Sequence, residues 1–236
     1  MVNILGIKVN KLTMEQAVER TEAFFDGKPH IVVTPNPEII LECKKDEELK
    51  NIINSSDLVL PDGIGVVIAS KMRKNPVPER VPGFDFVCEL LKKDHSFYFF
   101  GGKPGVAEKA MENMREKGVN VVGCHHGYFK DGEDEEILND IMDKKPDVLV
   151  VCLGAPKQEK WIYKNLEKLN VPISIGAGGS LDVLAGVVER APKIYQKLCL
   201  EWLYRTLKEP KKRIPRVIKL PVFIFDVLFN GRKYKD

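Results

Sequence analysis

Short apolar runs recur along the chain, each ending in a glycine-, proline- or asparagine-rich elbow and followed by a helical pattern. His30–Val33 runs into TPNPE, Leu58–Leu60 into PDGIG, Phe97–Phe100 into GGKPG, Val148–Leu153 into GAPKQE and Val171–Ile175 into GAGGS. The runs are apolar throughout rather than alternating, which predicts strands buried on both faces. Helical patterns follow over 37–54, 63–72, 104–117, 156–169 and 179–187. Pro37, Pro104 and Pro156 stand at or near a first turn, where a missing N–H does no harm. Alternating strands and helices predict an α/β fold: a Rossmann-like, mostly parallel sheet with helices on both faces and right-handed crossovers. Ligands of such sheets bind beyond the carboxyl ends of the strands, so the elbows are the candidate site loops.

The pattern changes near Arg190-Ala191-Pro192. We expect an α/β catalytic domain over 1–190 and a basic, amphipathic, helical appendage over 191–236. The appendage reads as a helix over 193–208, greasy on one side through Leu198, Leu200, Trp202, Leu203 and Leu207. Glu209-Pro210, the basic stretch Lys211–Arg216 and the apolar run Val217–Phe229 follow. Charge sharpens the contrast. Of 37 Lys+Arg and 34 Asp+Glu, the appendage holds 12 and 4, a net of +8, which leaves the body at −5. A polybasic cluster beside an apolar stretch suits an anionic membrane surface. The run 217–229 is broken by Lys219, Pro221 and Asp226 and falls short of the roughly 20 apolar residues a spanning helix needs. It therefore reads as lying on a membrane. The N-terminus shows no secretory pattern. Five dispersed cysteines without CxxC fit reduced cytosolic thiols. Together these features suggest a cytoplasmic enzyme, peripheral on the inner face of the cell membrane.

Several elbows carry candidate chemistry. Asp62, directly after an apolar strand, reads equally as a general base for a sugar hydroxyl and as a helix N-cap. Thr34 and Asn36 offer hydrogen bonds suited to a sugar or ribose, although Asn36 fits the capping of the helix from Pro37 better. Gly102 and Lys103 lie in a glycine turn at a helix start, a place where backbone N–H groups can cradle phosphate. The turn is neither GxxxxGK[ST] nor GxGxxG, so an ATPase P-loop and a dinucleotide cofactor are disfavoured. Arg80 suits a diphosphate, or is a solvated loop residue. Gln158 suits a base or a sugar, and Ser180 and Asp182 have similar standing. Cys124, His125 and His126 are adjacent on a strand and cannot easily converge on one metal. No Asp-x-Asp pair is present to hold a metal on a nucleotide-sugar diphosphate. If the substrate is a nucleotide sugar, arginines or helix dipoles have to neutralise the departing diphosphate, and the tail offers Arg205, Arg213 and Arg216, which also fit a solvated face or simple lipid attraction.

Taken in order, TPNPE, LPDGIG, ERVPGFD, FFGGKPGVAE, HGYF (126–129), GAPKQEKW, GAGGSLDVLAG, ERAP and EWLYR resemble the WecG/TagA/CpsF glycosyltransferases over roughly residues 1–210. The resemblance is nearest to the branch committing a lipid carrier to wall teichoic acid. It implies an inverting, metal-independent transferase without a cofactor. Such an enzyme moves N-acetylmannosamine from UDP-N-acetylmannosamine to the 4-hydroxyl of GlcNAc on undecaprenyl diphosphate. It implies Asp62 as general base, Arg80 beside the leaving group, and Thr34, Asn36 and Gln158 in the pocket. It also implies a membrane-docked appendage whose arginines close over UDP, and self-association. Two rivals remain: a same-fold enzyme using another UDP-sugar, and a non-catalytic nucleotide-binding module with a basic arm. The acidic body and the apolar run argue against nucleic acid as that arm's partner.

Overall fold

The structure, a computed structural model, describes residues 1–130, 132 and 134–234, the side chains of Lys212, Arg213, Pro215, Arg216 and Arg232 excepted. Its strands are β1 (Val2–Ile4), β2 (Ile7–Val9), β3 (His30–Val33), β4 (Leu58–Val59), β5 (Phe97–Gly101), β6 (Val121–His125), β7 (Val148–Cys152) and β8 (Ile173–Gly176). The body helices are α1 (Met14–Glu22), α2 (Pro37–Glu42), α3 (Glu47–Ser55), α4 (Ile64–Met72), α5 (Gly83–Leu90), α6 (Val106–Arg115), α7 (Asp134–Lys144), α8 (Lys157–Leu169) and α9 (Ser180–Leu184). The appendage contributes α10 (Lys193–Lys197), α11 (Glu201–Lys208), α12 (Pro210–Val217) and α13 (Lys219–Asn230).

Six strands form one sheet in the order β4-β3-β8-β7-β5-β6, and every neighbouring pair is parallel. The apolar runs are buried on both faces, as their lack of alternation predicts. Phe97 and Phe99 of β5 enter one core, with α5, α6 and α9; Tyr98 and Phe100 enter the other, with α2, α4 and α8. Burying each such ring is worth about 1.5–3 kcal/mol. The Tyr98 hydroxyl escapes the cost of burial by donating to Asp140 at 2.6 Å. The chain steps outward from β3 to β4 at one edge and from β5 to β6 at the other. The loops after β3 and β5 therefore lead to helices on opposite faces, α2 and α6, and open a crevice above β8 and β7.

Local chemistry redraws some boundaries. The pattern over 37–54 is two helices, because the Asp46 carboxylate accepts from the Leu49 N–H at 2.9 Å and starts α3 afresh. The span 193–208 is also two, divided where Cys199 takes a left-handed conformation at φ 58°. The β1–β2 hairpin lies outside the repeating pattern and turns on Leu5-Gly6, both at positive φ.

The apolar run Val217–Phe229 departs from the expectation that it lies wholly on a membrane. Helix α13 packs on α2 and α4, with Phe223 fully buried and Val227 nearly so. Asp226, which seemed to interrupt the run, is buried and accepts from Lys44 and from Asn230 at 2.7 Å. Burial pushes the Asp226 carboxyl up, but Lys44 and Asn230 outweigh it and hold the group below the ordinary carboxylate value. The opposite face leaves Ile218, Val222, Phe225 and Phe229 exposed. Their spacing of 4, 3 and 4 residues draws one stripe along a helix. Among the described residues, no helix is long and apolar enough to cross a membrane.

Candidate active site

The elbows converge on one cleft of about 1190 Å³ at the carboxyl end of the sheet. The body supplies Thr34, Asn36, Asp62, Arg80, Gly102, Lys103, Gln158 and Asp182 to its lining, and α11 adds Arg205. The predicted residues are thus brought together, apart from Arg213 and Arg216, whose side chains lie outside the described residues.

Asp62 lies three residues beyond β4, in the loop that leads to α4, and faces the cleft. Capping does not explain it: the N-cap of α4 is Gly63, with no side-chain cap bond. The Asp62 carboxylate accepts backbone hydrogen bonds from Gly63 and Gly83. Burial nevertheless pushes its pKa up to about 6, against the pull of Arg80 and with a push from Glu201. A carboxylate so placed is ionised at neutral pH yet basic enough to take a proton, which suits a general base.

Other residues prove more structural than their type suggests. The Thr34 hydroxyl donates to the Gly176 carbonyl at 3.1 Å and joins the ends of β3 and β8. Asn36 caps α2, its Oδ1 accepting from Glu38 and Ile39 at 2.9 and 3.1 Å. Gln158 is almost fully buried; its Oε1 accepts from Gly154 and Gly178, tying the loop after β7 to the loop after β8. Its Nε2 donates to Glu159 at 2.9 Å. At the glycine turn, the Gly102 N–H itself donates to the Cys152 carbonyl at 3.2 Å. The glycines there serve close approach: a Cβ on Gly101 (φ +134°) would stand 2.3 Å from the Cys152 oxygen. Cys124 packs into one core while the His125 ring meets Phe100 on the other face, as strand alternation requires.

The appendage completes the wall. Glu201, Trp202, Arg205 and Thr206 of α11 and Leu220 of α13 face the cleft. Arg80 reaches the Glu201 carboxylate at 3.5 Å, and Arg190 reaches it at 3.6 Å. Tyr128 and Phe129 line the rim, with Lys157 4.2 Å over the Phe129 ring. Reading the chain by residue type missed Arg190, Glu201 and the two aromatics, although each lies in a segment that carries the family resemblance (ERAP, EWLYR, HGYF).

The model of the Glycosyl transferase WecG/TagA/CpsF family matches residues 2–236. The chain belongs to this family. Its similarity extends to proteins named N-acetylglucosaminyldiphosphoundecaprenol N-acetyl-beta-D-mannosaminyltransferase from Staphylococcus aureus strains MW2 and NCTC 8325. Each is 36% identical over 241 aligned residues, covering 99% of this chain and 94% of the relative. The match reaches through the appendage, beyond the 1–210 expected from the motifs. In this WecG/TagA/CpsF glycosyltransferase, α11 to α13 are thus part of the family's shared chain.

Proposed function

We propose that this protein is an inverting, metal-independent transferase that moves N-acetylmannosamine from UDP-N-acetylmannosamine to GlcNAc on undecaprenyl diphosphate. The observation that carries the mechanism is Asp62, a carboxylate in the loop beyond a strand, open to the cleft, with its pKa raised to about 6 and Arg80 nearby. The names of the relatives support the substrates. Asp62 takes the proton of the acceptor hydroxyl as its oxygen attacks the anomeric carbon. The bond from that carbon to UDP breaks, and the electron pair leaves with UDP. Arg80 and Arg205 lower the cost of the charge growing on the diphosphate. Thr34, Asn36, Gln158 and Asp182 shape the sugar side of the cleft. The exposed stripe of α13 rests on the inner face of the membrane, where the acceptor is held, and the basic segment draws it there.

Purified protein, a short-chain lipid acceptor and a panel of UDP-sugars test this through UDP release. UDP-N-acetylmannosamine is expected to be the preferred donor, with activity retained in EDTA. Preference for another UDP-sugar would keep the chemistry and reject the donor. Loss in EDTA restored by Mg²⁺ or Mn²⁺ would reject the metal-free mechanism.

A further inference from the structure

Two arginines from separate parts of the body meet one carboxylate carried by the appendage. Both nitrogens of the Arg80 fork lie 3.5 Å from Glu201 Oε2, and Arg190 Nε lies 3.6 Å from Glu201 Oε1. The side chains of Arg80 and Glu201 are only 16% and 14% exposed, so these charges meet largely out of water. Arg190 is fixed from behind by Asp85 and by the Phe84 ring, 4.9 Å from its guanidinium carbon. All three contacts are longer than the 2.7–2.9 Å of a close guanidinium–carboxylate pair. A single carboxylate spans the gap between the two guanidinium groups but fills it loosely. The gap suits a larger anion with more oxygens. It opens on the same cleft as Asp62.

We propose that Arg80 and Arg190 form the subsite for the donor's diphosphate and that the Glu201 carboxylate is its internal occupant in the substrate-free protein. Donor and Glu201 then compete for the same two guanidinium groups. This rests on the reading of the cleft as a site for a UDP-sugar. Without a ligand, Glu201 keeps the two arginines from facing an empty cleft, and its place on α11 makes departure a movement of the appendage. A two-phosphate anion makes several charge-assisted bonds where Glu201 makes loose ones, so the exchange favours the donor. The contest lowers the apparent affinity for UDP by the fraction of protein in which Glu201 holds the site.

Calorimetric titration of UDP into the full chain tests the exchange. Glu201→Gln keeps shape and removes charge; UDP should bind it about 3–10-fold more tightly than the unaltered protein, the range expected when a rival state of comparable or greater population is removed. Arg190→Ala should weaken UDP binding by about tenfold, as expected when one charge-assisted contact is lost. In that background the gain from Glu201→Gln should shrink. Unchanged or weaker binding by a folded Glu201→Gln would overturn the proposal and make Glu201 a strut that holds the arginines for the donor. Thermal unfolding checks that the variant folds. Should it not fold, Glu201→Asp, which withdraws the carboxylate by one methylene, is expected to tighten UDP binding in the same direction, and its failure to do so counts equally against the proposal. The underlying reading fails separately: UDP that does not bind the unaltered protein removes the UDP-sugar site whatever Glu201 does, whereas UDP that binds Arg80→Ala as well as the unaltered protein overturns the subsite proposed here and leaves the UDP-sugar reading standing.

Discussion

At the residue scale, Asp62 ties reactivity to instability. Its folded pKa of about 6 lies above its ordinary 3.8, so folding favours the protonated form. The stability this group contributes is complete below about pH 4 and is lost as pH rises through about 6. Asp62→Asn carries no such penalty. It should melt close to the unaltered protein near pH 4 and at a higher temperature at pH 7.5, with the difference growing between pH 4 and 6; scanning calorimetry at stepped pH reads this directly. The same variant should lose about 10²–10⁴ in kcat, the usual worth of a positioned base. In the unaltered enzyme the rate should climb with pH through about 6 and then level. A near-normal rate for Asp62→Asn, or a flat profile across pH 5–7, excludes the base role. Sequence alone left Asp62 divided between base and cap, because an Asp before glycine serves both; only the coordinates assign the N-cap of α4 to Gly63. Gln158 shows the opposite difficulty. Its partners, Gly154 and Gly178, belong to loops after different strands, and nothing in the spacing of residues reveals a bond between them.

At the scale of elements, the parallel strands were legible because burial on both faces writes continuous apolar runs, and the elbows because glycine and proline mark chain reversals. The helix breaks at Asp46 and Cys199 were less so, since the apolar pattern runs through them and local bonds decide. Helix α13 is the clearest case: an apolar run states that a segment avoids water, not whether protein or lipid receives it. Its two faces separate the alternatives. Phe223→Ala empties a fully buried site between α13 and the body and should cost about 3–5 kcal/mol in denaturant unfolding. Phe225→Glu with Phe229→Glu alters only exposed rings, so unfolding should hardly change, while vesicle binding should fall by about tenfold or more, each ring being worth about 1.5–3 kcal/mol in an apolar phase. Removing 192–236 entirely is a poorer test, because it also strips Phe223 and Val227 from the core they share with β1 and β2. A double glutamate variant that unfolds early would show that the stripe packs on protein, and one that binds vesicles normally would show that lipid does not receive it.

At the scale of the whole molecule, charge and shape act together. A net of −5 over 1–190 and +8 over 191–236 gives the protein a lengthwise electrical asymmetry. Near an anionic bilayer the body is repelled and the appendage attracted, so the approach is oriented before any apolar contact forms. That orientation matters for the proposed reaction because α11 and α13 also wall the cleft, so an appendage held at a lipid surface would keep the cleft near an acceptor held in the membrane. Two forces of different range are then at work. Attraction of the basic segment is screened within about 10 Å at 0.1 M salt, whereas burial of the Val222, Phe225 and Phe229 side chains is largely indifferent to it. Binding to vesicles rich in anionic lipid should therefore fall steeply between 0.05 and about 0.5 M salt and settle on a residue that only the Phe225/Phe229 variant removes. Uncharged vesicles should show that residue alone at every salt concentration. Co-sedimentation across this grid reads both terms at once. Equal binding to charged and uncharged vesicles at low salt would mean that the cationic segment serves the cleft and not the bilayer.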